Sequence, residues 1–377
     1  MNETYNLDVM KTEVEKALAN AKDPKGLISS LAAIAKTNSI TDEETDLRKQ
    51  MDANKACTYA SFIREMTESI DKGSFITGYP ELDKLLYFTP GDFVILQSMS
   101  NHGKSTFISN LAYRFLTVDK NKKKNPIIIW ITYESSVRML KKKILNTISS
   151  SLDDDKIIKQ DWTAKADSTS KHKVHENLLY GTETSFKKSI DLYHHLFTSE
   201  SLYLLQNIPI DQFQTLITRI NAQNNGKRPV IMFLDYFQII RHSLPGEGWQ
   251  KMKELAYWIE RFAIDNDITL FAASQVNDQG DTREGKDIYN ACTIDLDLFN
   301  HSHPKLLDNE KLKSRYIPKC GGKDVISITI DKAKEFECRD LKEYLLFDGF
   351  KFEQNPGYST NTTPKIIATR KGPSNGN

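Results

Sequence analysis

The sequence lacks the features of a membrane or secreted protein. None of its apolar runs approaches the ~20 residues that a membrane helix needs. The first residues do not form a basic region followed by an apolar stretch, so no secretory signal is predicted. The four cysteines (Cys57, Cys292, Cys320 and Cys338) are scattered without Cys-x-x-Cys spacing, which argues against a disulfide framework or a zinc site. We therefore expect a cytoplasmic protein.

The sequence also lacks an excess of charge of either sign. Its 377 residues include 51 lysines and arginines against 50 aspartates and glutamates, so the formal net charge is +1. This balance excludes a globally basic coat for nucleic acid, and any site for a polyanion must be a local patch. The lysine run at residues 141–143 is predicted to be a solvated face, with a partner or DNA patch as the alternative.

Short apolar runs alternate with helical patterns through the middle of the chain. Runs at residues 93–96, 127–131, 230–234 and 269–273 are apolar on both faces, as in strands of a parallel sheet covered by helices. Helical segments are predicted at residues 105–116, 136–148, 210–220 and 248–265. The fold class predicted is α/β, a doubly wound, mainly parallel sheet. Further strands are expected at residues 325–330 and 344–352, the latter with a hairpin turn at Asp348-Gly349.

Changes in composition divide the chain into four parts. Residues 1–55 are predicted to be a small helical N-terminal region and residues 56–72 a linker helix. The thin apolar stripe of this helix either needs a partner or packs on the helix's own domain. Residues 73–355 form the α/β domain, and residues 356–377, rich in Gly, Pro, Ser, Thr and Asn, are expected to be a flexible tail.

The most informative motif is the run SMSNHGKST at residues 98–106, which follows one predicted strand and opens a helix. A phosphate-binding loop requires this context, because backbone N–H groups and the helix N-terminus then face the phosphates. A serine stands where the motif usually has its first glycine, and a chance Gly-Lys-Ser in a polar loop is the alternative. The predicted ATP-contacting residues of the loop are Ser98, Asn101, His102, Gly103, Lys104, Ser105 and Thr106.

Each of these loop residues suits a different part of the nucleotide. Gly103 lets the backbone approach closely, and Lys104 reaches the β- and γ-phosphates. The hydroxyl of Ser105 is a ligand for Mg²⁺, and Thr106 contacts the α-phosphate.

Three other predicted strand ends carry polar residues toward the same edge of the sheet. Asp235 ends one strand, where it would hold Mg²⁺ through water, although taken alone such an aspartate is more often a turn residue. Glu134 follows another strand and would orient or deprotonate the attacking water; it also suits a helix N-terminus, and both roles are compatible. Gln275 would hydrogen-bond the γ-phosphate, or is an ordinary polar strand end.

Together these residues resemble the ATPase domain of DnaB-type replicative helicases. The likeness rests on residues 77–83 (TGYPELD), 90–92 (PGD), 103–106 (GKST), 234–238 (LDYFQ) and 274–277 (SQVN). Order and spacing agree over roughly residues 58–355. The Asp-Tyr-x-Gln run is not usual in other RecA-like ATPases, so the resemblance is specific at the level of this family.

The resemblance implies a RecA-like fold and a ring of about six subunits around single-stranded DNA, with ATP and Mg²⁺ bound between neighbours. Carried over, Glu134 is the catalytic carboxylate and Gln275 the γ-phosphate sensor. The family's Lys-x-Arg, which reaches into the neighbour's site, corresponds here to Lys332 and Lys334, so a lysine replaces the arginine. These lysines are otherwise solvated strand ends. Residues 1–55 are much shorter than the family's N-terminal domain, which docks primase.

Two pore loops are expected to contact DNA. The first would be residues 241–248, with Arg241, and the second residues 278–292, with Arg283 and Lys286. Both are polar and contain glycine, which suits contacts with phosphates that do not read sequence. The alternative is that each is a plain surface loop.

The predicted function is therefore an ATP-dependent DNA helicase or translocase, with a loader or primase-like protein as a possible partner. A different class of function is a non-unwinding RecA-like ATPase that assembles on DNA or on a protein. A passive nucleotide-binding scaffold would require a dead site, and the intact Lys104, Glu134 and Asp235 argue against it.

Overall fold

The computed structural model describes six stretches of the chain: residues 74–152, 187–224, 228–246, 248–276, 285–333 and 341–354. All of them lie in the second of the two units into which the chain divides, Ser69–Asn377. The N-terminal region, the linker helix and the tail predicted from the sequence lie outside the described residues, so these domain boundaries stay predictions. Within the described residues, no helix is both long enough and apolar enough to cross a bilayer.

The described residues contain nine strands, all in one sheet. The strands are β1 (Phe93–Ser98), β2 (Ile127–Thr132), β3 (Leu202–Gln206), β4 (Val230–Asp235), β5 (Thr269–Gln275), β6 (Ile294–Asn300), β7 (Asp324–Ala333), β8 (Leu341–Phe347) and β9 (Phe352–Gln354).

The sheet order is β3-β2-β4-β5-β1-β6-β7-β8-β9. Every pair from β3 to β6 is parallel, whereas β6 to β9 pair antiparallel. The four strands whose ends carry the predicted site residues, β2, β4, β5 and β1, are therefore consecutive neighbours. The prediction of a mainly parallel, doubly wound sheet is confirmed.

Eight α-helices lie among the described residues. They are α1 (Pro80–Asp83), α2 (Lys104–Thr117), α3 (Asp119–Lys122), α4 (Val137–Ser151), α5 (Lys187–Thr198), α6 (Phe213–Gln223), α7 (Trp249–Asp265) and α8 (Gly285–Ala291).

Two hydrophobic clusters cover the two faces of the sheet. Alternate residues of β1 belong to different clusters: Val94 and Leu96 pack with α2, α4 and α5, whereas Phe93 and Ile95 pack with α6, α7 and α8. This alternation follows from the period of two along a strand. Burial on both faces explains why the central strands are apolar throughout.

Two strands were not anticipated from the sequence. The strand β6 is interrupted by Asp295 and Asp297, which hide its apolar pattern. Asp295 is nonetheless buried and accepts a hydrogen bond of 2.6 Å from the side-chain amide of Gln97. The other strand, β3, alternates buried and partly exposed residues, as a sheet edge does.

The C-terminal hairpin forms where Asp348-Gly349 predicted it. The Asp348 carboxylate accepts hydrogen bonds from the backbone N–H groups of Phe350 (3.0 Å) and Lys351 (2.9 Å). Gly349 has φ +101°, the left-handed region that glycine enters without strain. The Asn110 side chain of α2 donates to the Phe350 carbonyl at 2.9 Å, which fixes the hairpin to the helix that opens at the phosphate loop.

Candidate nucleotide-binding site

The loop after β1 has the geometry of an anion-binding turn. Gly103, with φ +95°, precedes the first residue of α2, and Asn101 is also left-handed at φ +64°. A Cβ on Gly103 would lie 3.6 Å from the ring of Phe352, which is ordinary contact, so the backbone angle rather than crowding favours glycine. The N–H groups at the start of α2 have no partners within the helix and so are available to phosphate oxygens.

Two side chains predicted for this loop face the protein interior. The buried Ser98 hydroxyl donates to the Met99 carbonyl at 2.9 Å. Ser98 ends β1 and has no left-handed φ, which explains why serine fits where the motif usually has glycine. The ring of His102 is buried and accepts a hydrogen bond at Nδ1 from the Asn300 backbone N–H (3.0 Å). Its ring therefore holds the loop against β6.

The polar strand ends meet at one edge of the sheet. Ser98 pairs with Gln275 across β1 and β5, and Thr132 pairs with Asp235 across β2 and β4. Adjacent strands are about 4.8 Å apart. The N–H of Tyr133 donates to the Asp235 carbonyl at 2.8 Å, so Glu134, the next residue along, begins the loop beside the aspartate.

The ammonium of Lys104 lies within the fields of both carboxylates. Burial lowers the pKa of Lys104 to about 8, while the charges of Asp235 and Glu134 act in the opposite direction. The Nζ atom also lies 5.4 Å from the ring centroid of Tyr236. The structure thus brings together the three residues on which the predicted chemistry depends, one from each of three chain segments.

Asp235 provides a test of whether the site suits a divalent cation. Its side chain is 2% exposed, and Oδ1 is buried without a hydrogen-bond partner. A buried carboxylate oxygen without a donor is costly unless a cation or ordered water satisfies it. Carboxylate and hydroxyl oxygens are the ligands that Mg²⁺ prefers, so Asp235 and Ser105 fit that ion.

A second lysine near the carboxylates was missed by the sequence reasoning. The hydroxyls of Ser109 on α2 and Thr147 on α4 are 2.8 Å apart. Both helices begin at the carboxyl edge of the sheet, so one turn back toward the site Lys143 lies beside Ser105. The prediction of a solvated face holds for the exposed Lys141 but is wrong for Lys143, which is half-buried.

The electrostatics agree with this placement of Lys143. Burial lowers the pKa of Lys143, and the charges of Asp235 and Glu134 oppose that shift. These are the two carboxylates that also act on Lys104. In the sequence, Lys143 looks like one member of a charge run, and no local signal separates it from its neighbours.

Gln238 joins the ends of β4 and β5. Its side-chain amide donates to the Ser274 hydroxyl (2.9 Å) and to the Gln275 carbonyl (3.1 Å), and its oxygen accepts the Gln275 N–H (3.3 Å). This arrangement gives the glutamine of the Asp-Tyr-x-Gln run a physical purpose, because it fixes the strand end that carries the Gln275 side chain.

The remaining predicted residues lie away from this cluster. Lys332 is near the end of β7, and its ammonium donates to carbonyls of α8. Arg241 is exposed in the loop that follows β4. The predicted second pore loop is helical over its last part, α8. Arg283, Lys334 and the side chain of Lys286 lie outside the described residues.

Comparison with known proteins decides the family. Residues 74–291 match the family described as the DnaB-like helicase C terminal domain, more than half of the chain. The chain belongs to the DnaB-like helicase family. The match includes the phosphate loop and the strand ends bearing Glu134, Asp235 and Gln275, so membership in a family of helicase-type, nucleotide-binding ATPases is consistent with the geometry of the site. The comparison with curated proteins gave no match.

Solved structures show that the fold extends beyond the matched residues. A structure of an isolated ATPase domain superposes with a TM-score of 0.57 at 16% identity, covering 78% of this chain and 96% of that one. A DnaB-like replicative helicase, solved to show its interactions with primase, superposes with a TM-score of 0.60 at 14% identity. That comparison covers 88% of this chain and 78% of the other. The RecA-like fold of the DnaB-like family is thereby established for this chain.

Proposed function

We propose that this DnaB-like protein is a ring-forming, ATP-dependent DNA helicase or translocase that moves along single-stranded DNA. The observation that carries the proposal is the convergence of Lys104, Glu134 and Asp235 at one edge of the sheet, where both carboxylates act on the same ammonium. Structural binding of nucleotide alone would not require an acid at the end of β2 in addition to the one at the end of β4.

The phosphate loop binds the nucleotide by its backbone and by one side chain. The N–H groups at the start of α2 face the phosphate oxygens, and Lys104 contacts the β- and γ-phosphates. Magnesium held by Ser105 and, through water, by Asp235 neutralises part of the polyphosphate charge. Gln275 contacts the γ-phosphate and so changes its contacts when that phosphate leaves.

Glu134 activates the water that cleaves ATP. Its carboxylate accepts a proton as the water oxygen forms a bond to the γ-phosphorus. The bond to the oxygen that bridges the β- and γ-phosphates breaks, and its electron pair leaves with ADP. Glu134 is exposed in the isolated subunit, as expected for a group that a neighbouring subunit would cover.

The neighbouring subunit completes the site with Lys332 and Lys334, and the loops carrying Arg241, Arg283 and Lys286 follow the DNA backbone. Several weakly binding loops around a ring bind one strand by avidity. A lysine in place of the arginine finger supplies charge without the planar two-point contact, so we expect slow hydrolysis.

Strand displacement on a forked duplex tests the proposal. We expect ATP-dependent unwinding by the wild-type chain and none by Lys104→Ala, because the substituted loop loses its phosphate-contacting ammonium. Lys141→Ala, at an exposed position of the same helical layer, is the control and should unwind normally. Unwinding by Lys104→Ala at the wild-type rate would overturn the proposal.

Glu134→Gln separates binding from cleavage. The amide keeps the size of the side chain but does not accept the proton, so ATP should bind with near wild-type affinity and be cleaved about 10²–10⁴ times more slowly. Unchanged turnover would show that Glu134 is not the catalytic carboxylate.

The second candidate is a RecA-like ATPase that assembles on DNA without unwinding it. It is favoured by the lysine at position 334, which stands where this family has its finger arginine. ATP-dependent DNA binding together with no strand displacement, measured on the same fork, would favour this candidate over the helicase.

A further inference from the structure

The ammonium of Lys332 is held by the end of helix α8. It donates to the backbone carbonyls of Tyr289 and Asn290, the latter at 3.2 Å. The same Nζ lies 4.8 Å from the ring centroid of Tyr289. The last carbonyls of a helix have no partners within it and carry partial negative charge, so a cation is stabilised there. Carbonyl contact and ring contact together hold Lys332 against its own subunit.

Tyr289 also contacts the residue before Lys332. Its hydroxyl donates to the Asp331 carbonyl at 3.4 Å, so one side chain reaches two successive residues of β7. Tyr289 is 38% exposed and lies on the side of α8 away from the core. The other side of α8 is fixed, because Ile288 and Ala291 are buried in the cluster with α6 and α7.

These contacts join two parts of the molecule to which the proposed function gives different tasks. Helix α8 ends the segment that we predict to contact DNA, and Lys332 is the residue that we predict to act on the neighbour's ATP. A lysine engaged with carbonyls of its own subunit does not extend to a phosphate in the next one. Displacement of α8 would release it.

We propose that Tyr289 is a positioning residue that holds Lys332 on α8, and that single-stranded DNA displaces α8 and so frees Lys332 for the neighbouring ATP site. This inference rests on the proposed function. It adds to that function a coupling between DNA binding and the contribution of one subunit to its neighbour's site.

ATP hydrolysis with and without an oligo-dT strand tests the coupling. Tyr289→Ala should raise the DNA-independent rate about fivefold or more, the lower end of ordinary coupling between sites, and reduce the stimulation by DNA accordingly. Tyr289→Phe keeps the ring contact but loses the bond to Asp331, so its effect should be intermediate. Tyr257→Ala is the matched control, since Tyr257 on α7 is equally exposed.

A double variant separates coupling from general destabilisation. In a Lys332→Ala background, Tyr289→Ala should leave both rates where Lys332→Ala alone sets them, because the lysine that it would release is gone. If Tyr289→Ala alters the rates equally in both backgrounds, it does not act through Lys332 and the inference fails.

Chemical labelling of lysines tests the contact without requiring hydrolysis. The full chain is treated with an amine-reactive reagent, and the labelling of Lys332 is measured by mass spectrometry relative to the exposed Lys305. The ratio should rise when oligo-dT is added with a non-hydrolysable ATP analogue. It should rise without DNA in Tyr289→Ala, but not in Tyr257→Ala.

The outcomes distinguish this inference from the function on which it rests. An unchanged labelling ratio in Tyr289→Ala overturns the inference, whatever the protein does with ATP. Normal unwinding together with that result leaves the helicase standing. A raised ratio in Tyr289→Ala with no response to DNA shows that Tyr289 holds Lys332 but overturns the coupling to DNA.

Discussion

Lys104 experiences burial and two carboxylates acting in opposite directions on the charge of its ammonium. Burial is the larger effect and lowers the pKa to about 8, far below that of a lysine in water. A lysine in this position is therefore charged at neutral pH but loses its proton in mildly alkaline solution. Phosphate binding favours the charged form, so nucleotide binding and proton uptake are linked.

ATP affinity should consequently depend on pH above neutrality. We expect a constant dissociation constant below about pH 7, and a loss of affinity of up to tenfold for each pH unit above 8, as the charged fraction of Lys104 falls. Titration calorimetry at pH 8 in two buffers of different ionisation enthalpy should show proton uptake on binding. A dissociation constant that stays level from pH 7 to 9.5 would contradict the assignment.

Lys143 is a second cation at the same site, and its charge is expected to affect catalysis. Lys143→Met removes the charge while keeping an unbranched side chain, and should lower kcat/KM for ATP by about tenfold, comparable to the loss of one charge-assisted hydrogen bond. Lys143→Arg should recover most of the rate.

The control for Lys143 is Lys141→Met, in the same run but exposed on the other side of α4. Equal rates for the Lys143 and Lys141 variants would return Lys143 to the solvated face that the sequence predicted.

At the scale of elements, the strand ends are fixed by bonds between them as well as by the sheet. Gln238 makes three hydrogen bonds to Ser274 and Gln275. Gln238→Ala should lower kcat by about tenfold with little change in KM, since leaving these buried groups unpaired costs about 1–3 kcal/mol and loosens the γ-phosphate sensor. Steady-state kinetics beside the exposed Gln223→Ala check this. A change confined to KM would argue against the sensor role.

Strand β6 carries a buried acid whose cost to stability depends on pH. Burial raises the pKa of Asp295 from 3.8 to about 7. Because the folded state binds this proton more tightly, the stability of the fold falls as pH rises from about 4 to about 7, and above that range the buried carboxylate is ionised at full cost.

Asp295→Asn should therefore stabilise the protein at high pH. We expect a gain of roughly 2–4 kcal/mol in unfolding free energy at pH 8 that disappears near pH 4, since an amide still accepts the Gln97 hydrogen bond without a charge. Urea denaturation at both pH values, with the exposed Asp265→Asn as control, measures it. A pH-independent difference would mean that ionisation of Asp295 is not its cause.

At the scale of the whole molecule, the proposed function requires each ATP site to be shared between subunits. Lys104→Ala and Lys332→Ala should each be inactive or nearly so, since each removes one side of every site. Mixed in equal amounts, the two variants should regain activity, because about a quarter of the interfaces then combine an intact Lys104 with an intact Lys332.

Native mass measurement with ATP and single-stranded DNA completes this test. We expect a particle of about six subunits of 43.1 kDa. A strict monomer, or a mixture no more active than its components, would leave the shared site without support.

The sequence by itself determined the fold class, the phosphate loop and the set of acids at the strand ends. Each of these is encoded locally: a buried parallel strand is a run of apolar residues, and the residue that follows it reaches the carboxyl edge of the sheet wherever the strand is placed. For this reason Gly103, Asp235 and Glu134 were identified before their distances were known. The strand β6 escaped, because its two aspartates obscure the apolar pattern.

Only the tertiary structure decided which side chains from distant segments meet. Lys143 joins the carboxylates because α4 packs beside α2 in one register, and Lys332 meets Tyr289 because α8 ends beside β7. Such meetings depend on how elements pack, to within a fraction of a helical turn, and short-range patterns carry no information at that precision.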